Sequence, residues 1–102
     1  MNLRKEAKGM DCKVMIYGIC NNDRNTTILA HINEKSLVGA GMGMKVPDEF
    51  GAHCCNACHD ELDRRTNISG LSPDELLIEH YQGMIRTQYF LMKEDKLWAS
   101  KA

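Results

Sequence analysis

The run Cys55-Asn56-Ala57-Cys58-His59-Asp60-Glu61-Leu62-Asp63-Arg64-Arg65 joins a thiolate pair to a series of ligand-competent and basic side chains. A Cys-x2-Cys turn directs two sulfurs at one ion, because a tetrahedral ion needs closely converging ligands. A second pair must then lie elsewhere. Cys12 and Cys20 supply it with a looser Cys-x7-Cys spacing, and the four cysteines together read as a structural zinc site. Immediately after the turn, His59 and Asp63 stand four residues apart, so a helix there would project both from one face, where they could hold a second metal ion.

The elements that must position these groups belong to one domain spanning residues 1–102, with length for a single modest core that a metal staple would reinforce. Five cysteines are an odd number, and in a reducing compartment they are better read as metal thiolates than as disulfides. Cys54 is the spare: adjacent cysteines in an extended entry point to opposite sides, so it packs inward. A net charge of -1 excludes a uniformly basic surface, yet Arg4, Lys5, Lys8 and Lys13 cluster early and Arg64 with Arg65 forms a second basic spot. No apolar run approaches the roughly 20 residues of a membrane span, and the opening Met-Asn-Leu-Arg-Lys-Glu lacks the apolar centre of a secretory signal. The expectation is a soluble cytoplasmic protein with no membrane partner.

In chain order, residues 3–8 are charged and helix-compatible, with Gly9 as the stop. Residues 11–17 alternate and carry β-branched side chains, predicting a strand, and Gly18 turns the chain so that Cys12 and Cys20 flank a hairpin-like excursion. Asn21 to Asn25 is turn-like, and Thr26 to Ile32 reads as a strand with His31 near its end. Residues 39–44 form a glycine-rich loop with neither Walker nor Rossmann spacing, so no nucleotide site is expected. Pro47 to Phe50 starts a turn or short helix, a helix follows from about Asn56 through Arg65, and Gly70 lies in the segment that ends it. Ser72-Pro73-Asp74-Glu75 is the clearest helix start, combining a cap, a first-turn proline and a capping box. From there Leu77, Tyr81, Met84, Ile85, Gln88 and Met92 recur at helical spacing as the expected buried stripe. Gly83 within that helix points to a close packing contact. Leu97 and Trp98 are expected to anchor the tail, and the methionines to serve as packing.

This order of parts, a cysteine pair, a strand ending in histidine, a loop, a second cysteine pair and a histidine opening a helix, resembles the HNH, or ββα-metal, nucleases. More closely, Leu3-Arg4-Lys5, Cys12 to Cys20, Leu29-Ala30-His31-Ile32, Pro47-Asp48, the run from Cys55 to Thr66, and Arg86-Thr87-Gln88 look like the YbcO type of prophage nuclease. The similarity covers nearly the whole chain, and its most specific part is Cys-x-x-Cys-His-Asp-Glu-x-Asp-Arg-Arg.

The resemblance implies an α+β fold: a small zinc-stapled ββα-metal (HNH-like) domain with a long C-terminal helix. It implies a metal-dependent DNA endonuclease in which His31 is the general base and His59, joined by Asp63, binds a catalytic magnesium or manganese ion. A phosphodiester repels nucleophiles by its own charge, so such a site needs a positioned base and a cation to stabilise the leaving oxygen. Histidine chemistry near neutrality suits the first task. The departure from the pattern is Ala30, where many members carry a metal-ligating aspartate or histidine; Asp48, Asp60 or His53 are the candidates to replace it. Asp48 is also the nearest candidate to orient the base. Arg4, Lys5, Arg64 and Arg65 are expected to contact DNA phosphates. The competing expectation is a non-catalytic zinc-knuckle protein that binds nucleic acid or a phage recombination partner, and a third is a toxin-like nuclease.

Overall fold

The computed structural model describes residues 2–33 and 46–94. Its elements in order are α1 (Leu3–Ala7), β1 (Ile28–His31), β2 (Gly51–Cys54), α2 (Asn56–Leu62) and α3 (Pro73–Lys93), with 3-10 turns at Arg24–Thr26 and Asp48–Phe50. The expected glycine-rich loop at residues 39–44 and the tail anchor at Leu97 and Trp98 lie outside the described residues.

β1 and β2 form a two-stranded antiparallel sheet in which Ile28 faces Cys54 and His31 faces Gly51. A bond from Ile32 N to Phe50 O (3.0 Å) continues the pairing past the strand end. β2 is not apparent from the sequence, because Gly-Ala-His-Cys has little intrinsic strand preference; pairing and burial of all four residues create it. Gly51 is required by close approach, since a Cβ there would lie 2.8 Å from Leu29 Cγ.

A two-stranded sheet alone is marginal and must be covered. α3 packs along β2, and α1 covers β1. One cluster joins Cys12, Val14, Ile16, Ala30, Ala52, Cys54, Leu62 and Leu76; a second joins Leu3, Ala7, Leu29 and Leu91 under Phe90. α1 is too short to persist alone. It is held by Leu3 and Ala7 and capped by Asn2, whose side chain accepts from the backbone of Arg4 (3.0 Å) and Lys5 (3.3 Å).

The expected strand at residues 11–17 is a loop. Its alternation is real, with Cys12, Val14 and Ile16 buried while Met15 is exposed, but Met15 adopts φ +52° and breaks the extended run. Its N–H bonds instead to Cys12 Sγ at 3.4 Å, so the segment wraps a cysteine sulfur and meets β2 through the bond from Lys13 N to His53 O (2.7 Å) rather than forming a strand of its own. Met15 therefore does not pack as expected of a core methionine.

α2 stops at Leu62, short of the expected Arg65, because Arg64 takes φ +60°. The capping box of α3 is complete: Ser72 Oγ accepts from Glu75 N (3.2 Å) and the Glu75 carboxylate accepts from Ser72 N (2.9 Å). Its buried face is Leu76, His80, Gly83, Thr87 and Leu91 rather than the expected Leu77 to Met92 stripe; Ile85 is 60 % and Met92 39 % exposed. The helix is rotated by about one residue from the apolar reading, some 100°. The reason is that its inner face makes specific contacts with neighbouring backbone. Thr87 Oγ1 accepts from His53 N (3.0 Å), and a Cβ on Gly83 would lie 2.6 Å from Val14 Cγ2. The close packing expected at Gly83 is present.

Candidate metal centre and active site

The thiolate centre comes from three separate pieces of chain. Cys12 and Cys20 bracket the loop, Cys55 caps α2, and Cys58 lies in its first turn. Their four sulfurs all lie within 4.8 Å of one another, and Cys20 and Cys55 are 4.0 Å apart. A tetrahedral zinc with bonds near 2.3 Å sets its sulfurs about 3.8 Å apart, so the set fits zinc with a small contraction. Backbone geometry prepares the sulfurs as acceptors: Met15 N donates to Cys12 Sγ and Cys58 N to Cys55 Sγ, both at 3.4 Å. Hydrogen bonds from the Cys54 and Cys58 thiols hold the Cys12 thiol far below its usual range, whereas burial, above all, raises Cys20 to about 11. Metal binding at such a cluster deprotonates the thiols that it engages. Cys54 is fully buried, as expected, with its sulfur 3.4 Å from Cys55 O. It abuts the centre rather than pointing away from it.

His31, at the end of β1, reaches Asp48 in the 3-10 turn before β2. Its Nε2 lies 2.6 Å from Asp48 Oδ1, and Arg4 Nε approaches the same oxygen at 3.3 Å. The bond with His31, followed by the Arg4 charge, holds the Asp48 carboxyl below its ordinary range. With Nε2–H facing a carboxylate, Nδ1 carries the ring's free lone pair.

α2 builds a parallel arrangement. His59 Nε2 lies 3.0 Å from Asp63 Oδ2, and Arg65 bridges that same oxygen (2.7 Å) and Asp60 Oδ1 (2.8 Å). Two ligands at right angles around an ion with bonds near 2.1 Å stand about 3.0 Å apart, so the pair fits two positions of an octahedral magnesium or manganese ion. Each histidine thus meets an aspartate braced by an arginine.

Of the other candidates, His53 shares a sheet face with His31 but is enclosed edge-on against Phe90, and neither ring nitrogen has a hydrogen-bond partner. Burial, then the nearby Lys13 charge, lowers it to about 4. It is packing, not a ligand. Asp60 is engaged by Arg65. Lys5 and Arg64 are exposed and make no ion pair among the described residues.

Sequence reasoning misses two groups. His80, 1 % exposed on the inner face of α3, places Nε2 2.8 Å from Ala30 O, clamping the strand one residue before His31. Burial, first, lowers its pKa, and the bond to Ala30 O opposes that shift. Its signal in the sequence is a histidine in heptad spacing with Leu76, Gly83 and Thr87. Glu61, also fully buried, collects Thr66 Oγ1, Ile68 N, Ser69 N and Ser69 Oγ and pins the turn after α2. A cleft of about 180 Å³ is lined in part by Asn33, Arg64, Asp74 and His80.

A family model described as "Putative nuclease YbcO" matches residues 1–96, a span that includes all four clustered cysteines, both histidine pairs and the whole of α3. The chain belongs to the YbcO family. "Putative nuclease YbcO" of Escherichia coli (strain K12) is 43% identical over 95 residues, covering 91% of this chain and 93% of that protein. "Putative nuclease ybcO" of Enterobacteria phage 82 matches with the same identity and coverage. Among solved structures, that of "a putative bacteriophage protein from Escherichia coli str. K-12 substr. MG1655" superposes with a TM-score of 0.72 at 37% identity, covering 90% of this chain and 98% of the other. The fold described above is therefore shared with that bacteriophage protein over nearly the full length of both chains. None of the helices among the described residues is long and apolar enough to cross a membrane.

Proposed function

We propose that the protein is a metal-dependent DNA endonuclease of HNH-like type, encoded by a phage or prophage and acting in the cytoplasm on phosphodiester bonds. The observation that carries this reading is the 2.6 Å contact between His31 Nε2 and Asp48 Oδ1. A carboxylate that holds one ring nitrogen fixes the tautomer and leaves the other to take a proton from water. His31 Nδ1 is that base, and the imidazolium that forms is stabilised by Asp48, itself braced by Arg4. Asp48 is a positioning residue. His59 and Asp63 are the residues that would hold magnesium or manganese, which supplies stabilisation of charge on the leaving oxygen. Arg65 keeps Asp63 oriented, while Lys5 and Arg64 are the cations free to meet phosphates near the site. Cys12, Cys20, Cys55 and Cys58 hold structural zinc and place both α2 and the first loop.

A second reading, a non-catalytic zinc-knuckle protein that binds nucleic acid or a phage recombination partner, is favoured by two observations. Ala30 offers no ligand, and the thiolate centre is the only cluster of three or more metal-ligating groups among the described residues. Incubation with supercoiled plasmid and magnesium or manganese, beside His31→Ala, separates the readings. Nicking by the wild type and not by the variant supports the nuclease. Binding without cleavage across metals and substrates supports the zinc-knuckle protein.

A further inference from the structure

The geometry points to a second nucleic-acid contact surface, formed by none of the residues around His31 or His59, in which Lys13, Arg86 and Lys93 hold the backbone phosphates of duplex DNA. It rests on the reading of DNA as substrate and adds a place where the flank of that substrate lies. A cleft of about 480 Å³ at the C-terminal half of α3 is lined by Lys13, Arg86, Tyr89, Phe90, Lys93 and Glu94. Positions 86, 89, 90 and 93 share one helix face. Lys13 joins them from the thiolate loop, directly after Cys12.

Three observations make this a phosphate surface rather than a solvated helix face. First, the cations are held in place. Lys13 Nζ sits 4.8 Å above the Phe90 ring and Lys93 Nζ 5.3 Å above the Tyr89 ring. Arg86 Nη1 donates to Lys13 O at 2.8 Å, and Lys13 N donates to His53 O at 2.7 Å. Cations ordered before binding lose less entropy on meeting a ligand. Second, none of the three makes an ion pair among the described residues, whereas Arg4, Arg24 and Arg65 all do. Glu94 is the one acidic side chain in the lining, and it is exposed. Third, an ammonium group lies over each ring, so the rings act as platforms for cations rather than for stacked bases. That favours backbone contact over the base stacking of single-strand binders.

The spacing is also suitable. Arg86 and Lys93 are separated by about 10 Å of helix, a span over which two cations meet different phosphates of one backbone rather than the same one. Such contacts position a duplex without reading its sequence.

The test uses zinc-loaded full-length protein, a labelled duplex two helical turns long, and magnesium-free buffer over a salt series. Lys13→Gln combined with Lys93→Gln should reduce the slope of log affinity against log salt by about 1.8, because each phosphate that a cation neutralises contributes about 0.9. Two unrelated duplex sequences should show the same change. Lys93→Gln alone, remote in sequence from the cysteines, should reduce it by about 0.9 and guards against an effect of Lys13 on zinc. Arg24→Gln, whose partner is Asp11, is the control and should leave the slope unchanged. An unchanged slope in the double variant overturns the surface while plasmid cleavage by the wild type leaves the nuclease reading standing. A change confined to single strands overturns the duplex assignment, and a wild type that binds no duplex overturns the surface outright.

Discussion

His31 Nε2 and Asp48 Oδ1 lie 2.6 Å apart, although 17 positions separate the two residues in sequence. The contact joins the end of β1 to the turn that opens β2, and Arg4 from α1 completes it. If Asp48 orients the base, Asp48→Asn should lower the cleavage rate by about 10- to 100-fold with DNA affinity unchanged, by analogy with residues that orient metal-bound histidines. His31→Ala should lower it by about 10²–10⁴-fold, the usual contribution of a general base. Single-turnover cleavage with parallel binding measurements checks both. Equal losses of affinity and rate would assign the pair to binding instead.

His59 and Asp63 should fail in a different way. His59→Ala or Asp63→Asn should raise the magnesium or manganese concentration needed for half-maximal cleavage, with partial recovery at high metal. Titration of metal against rate is the measurement. A rate loss that no metal concentration relieves would remove the pair from the ligand set.

Removing zinc should unfold the domain. Structural zinc in small domains contributes about 10–16 kcal/mol of apparent binding energy, which is comparable with the whole stability of a typical domain. Cys12→Ser, Cys20→Ser, Cys55→Ser and Cys58→Ser should therefore each lose metal and the cooperative melt. Cys54→Ser should keep the metal, since its sulfur lies outside the set of four. Elemental analysis and thermal melts decide, and zinc-free protein that melts at the wild-type temperature would contradict the staple.

Gly83→Ala should destabilise despite improving helix propensity. Alanine gains about 1 kcal/mol over glycine in a helix. Its Cβ would meet Val14 Cγ2 at 2.6 Å and Val14 Cα at 3.0 Å, and overpacking of this kind costs about 1–3 kcal/mol. Because Val14 backbone is part of the obstacle, the net effect is a loss of about 1 kcal/mol, read from urea melts. A stabilised variant would show that the first loop yields freely.

Stability should fall with acid in two windows. His53 is held neutral, lowered from 6.5 to about 4, so below pH 6.5 the unfolded chain takes a proton that the folded one refuses until about 4. The penalty is on the order of 3 kcal/mol when complete. Glu61 is lowered from 4.5 to about 2, first by Ser69 and then by Thr66, so its contribution is present above pH 4.5 and lost as pH falls toward 2. His53→Phe should flatten the melting temperature between pH 6.5 and 4, and Glu61→Gln should lower it at neutral pH. A wild-type curve that His53→Phe leaves unaltered would assign the first window to other groups.

Local chemistry was legible in the chain wherever neighbours in sequence are neighbours in space. Cys55 and Cys58 sit on one turn, His59 and Asp63 on one helix face, and Ser72 with Glu75 in one capping box, because turn and helix geometry alone bring residues three or four apart together. Tertiary structure decided what depends on distant partners. β2 exists because β1 pairs with it, not because Gly-Ala-His-Cys prefers a strand. The alternation at residues 11–17 signalled burial correctly but not a strand, since its backbone bonds go to a thiolate and to β2. The buried face of α3 carries His80, Gly83 and Thr87 because Ala30, Val14 and His53 approach it there, which an apolar period cannot register. For the partner of His31 the sequence offered Asp48 only as the nearest candidate, 17 positions away; the fold brought Asp48 to the imidazole, while the register of two short strands enclosed His53 against Phe90.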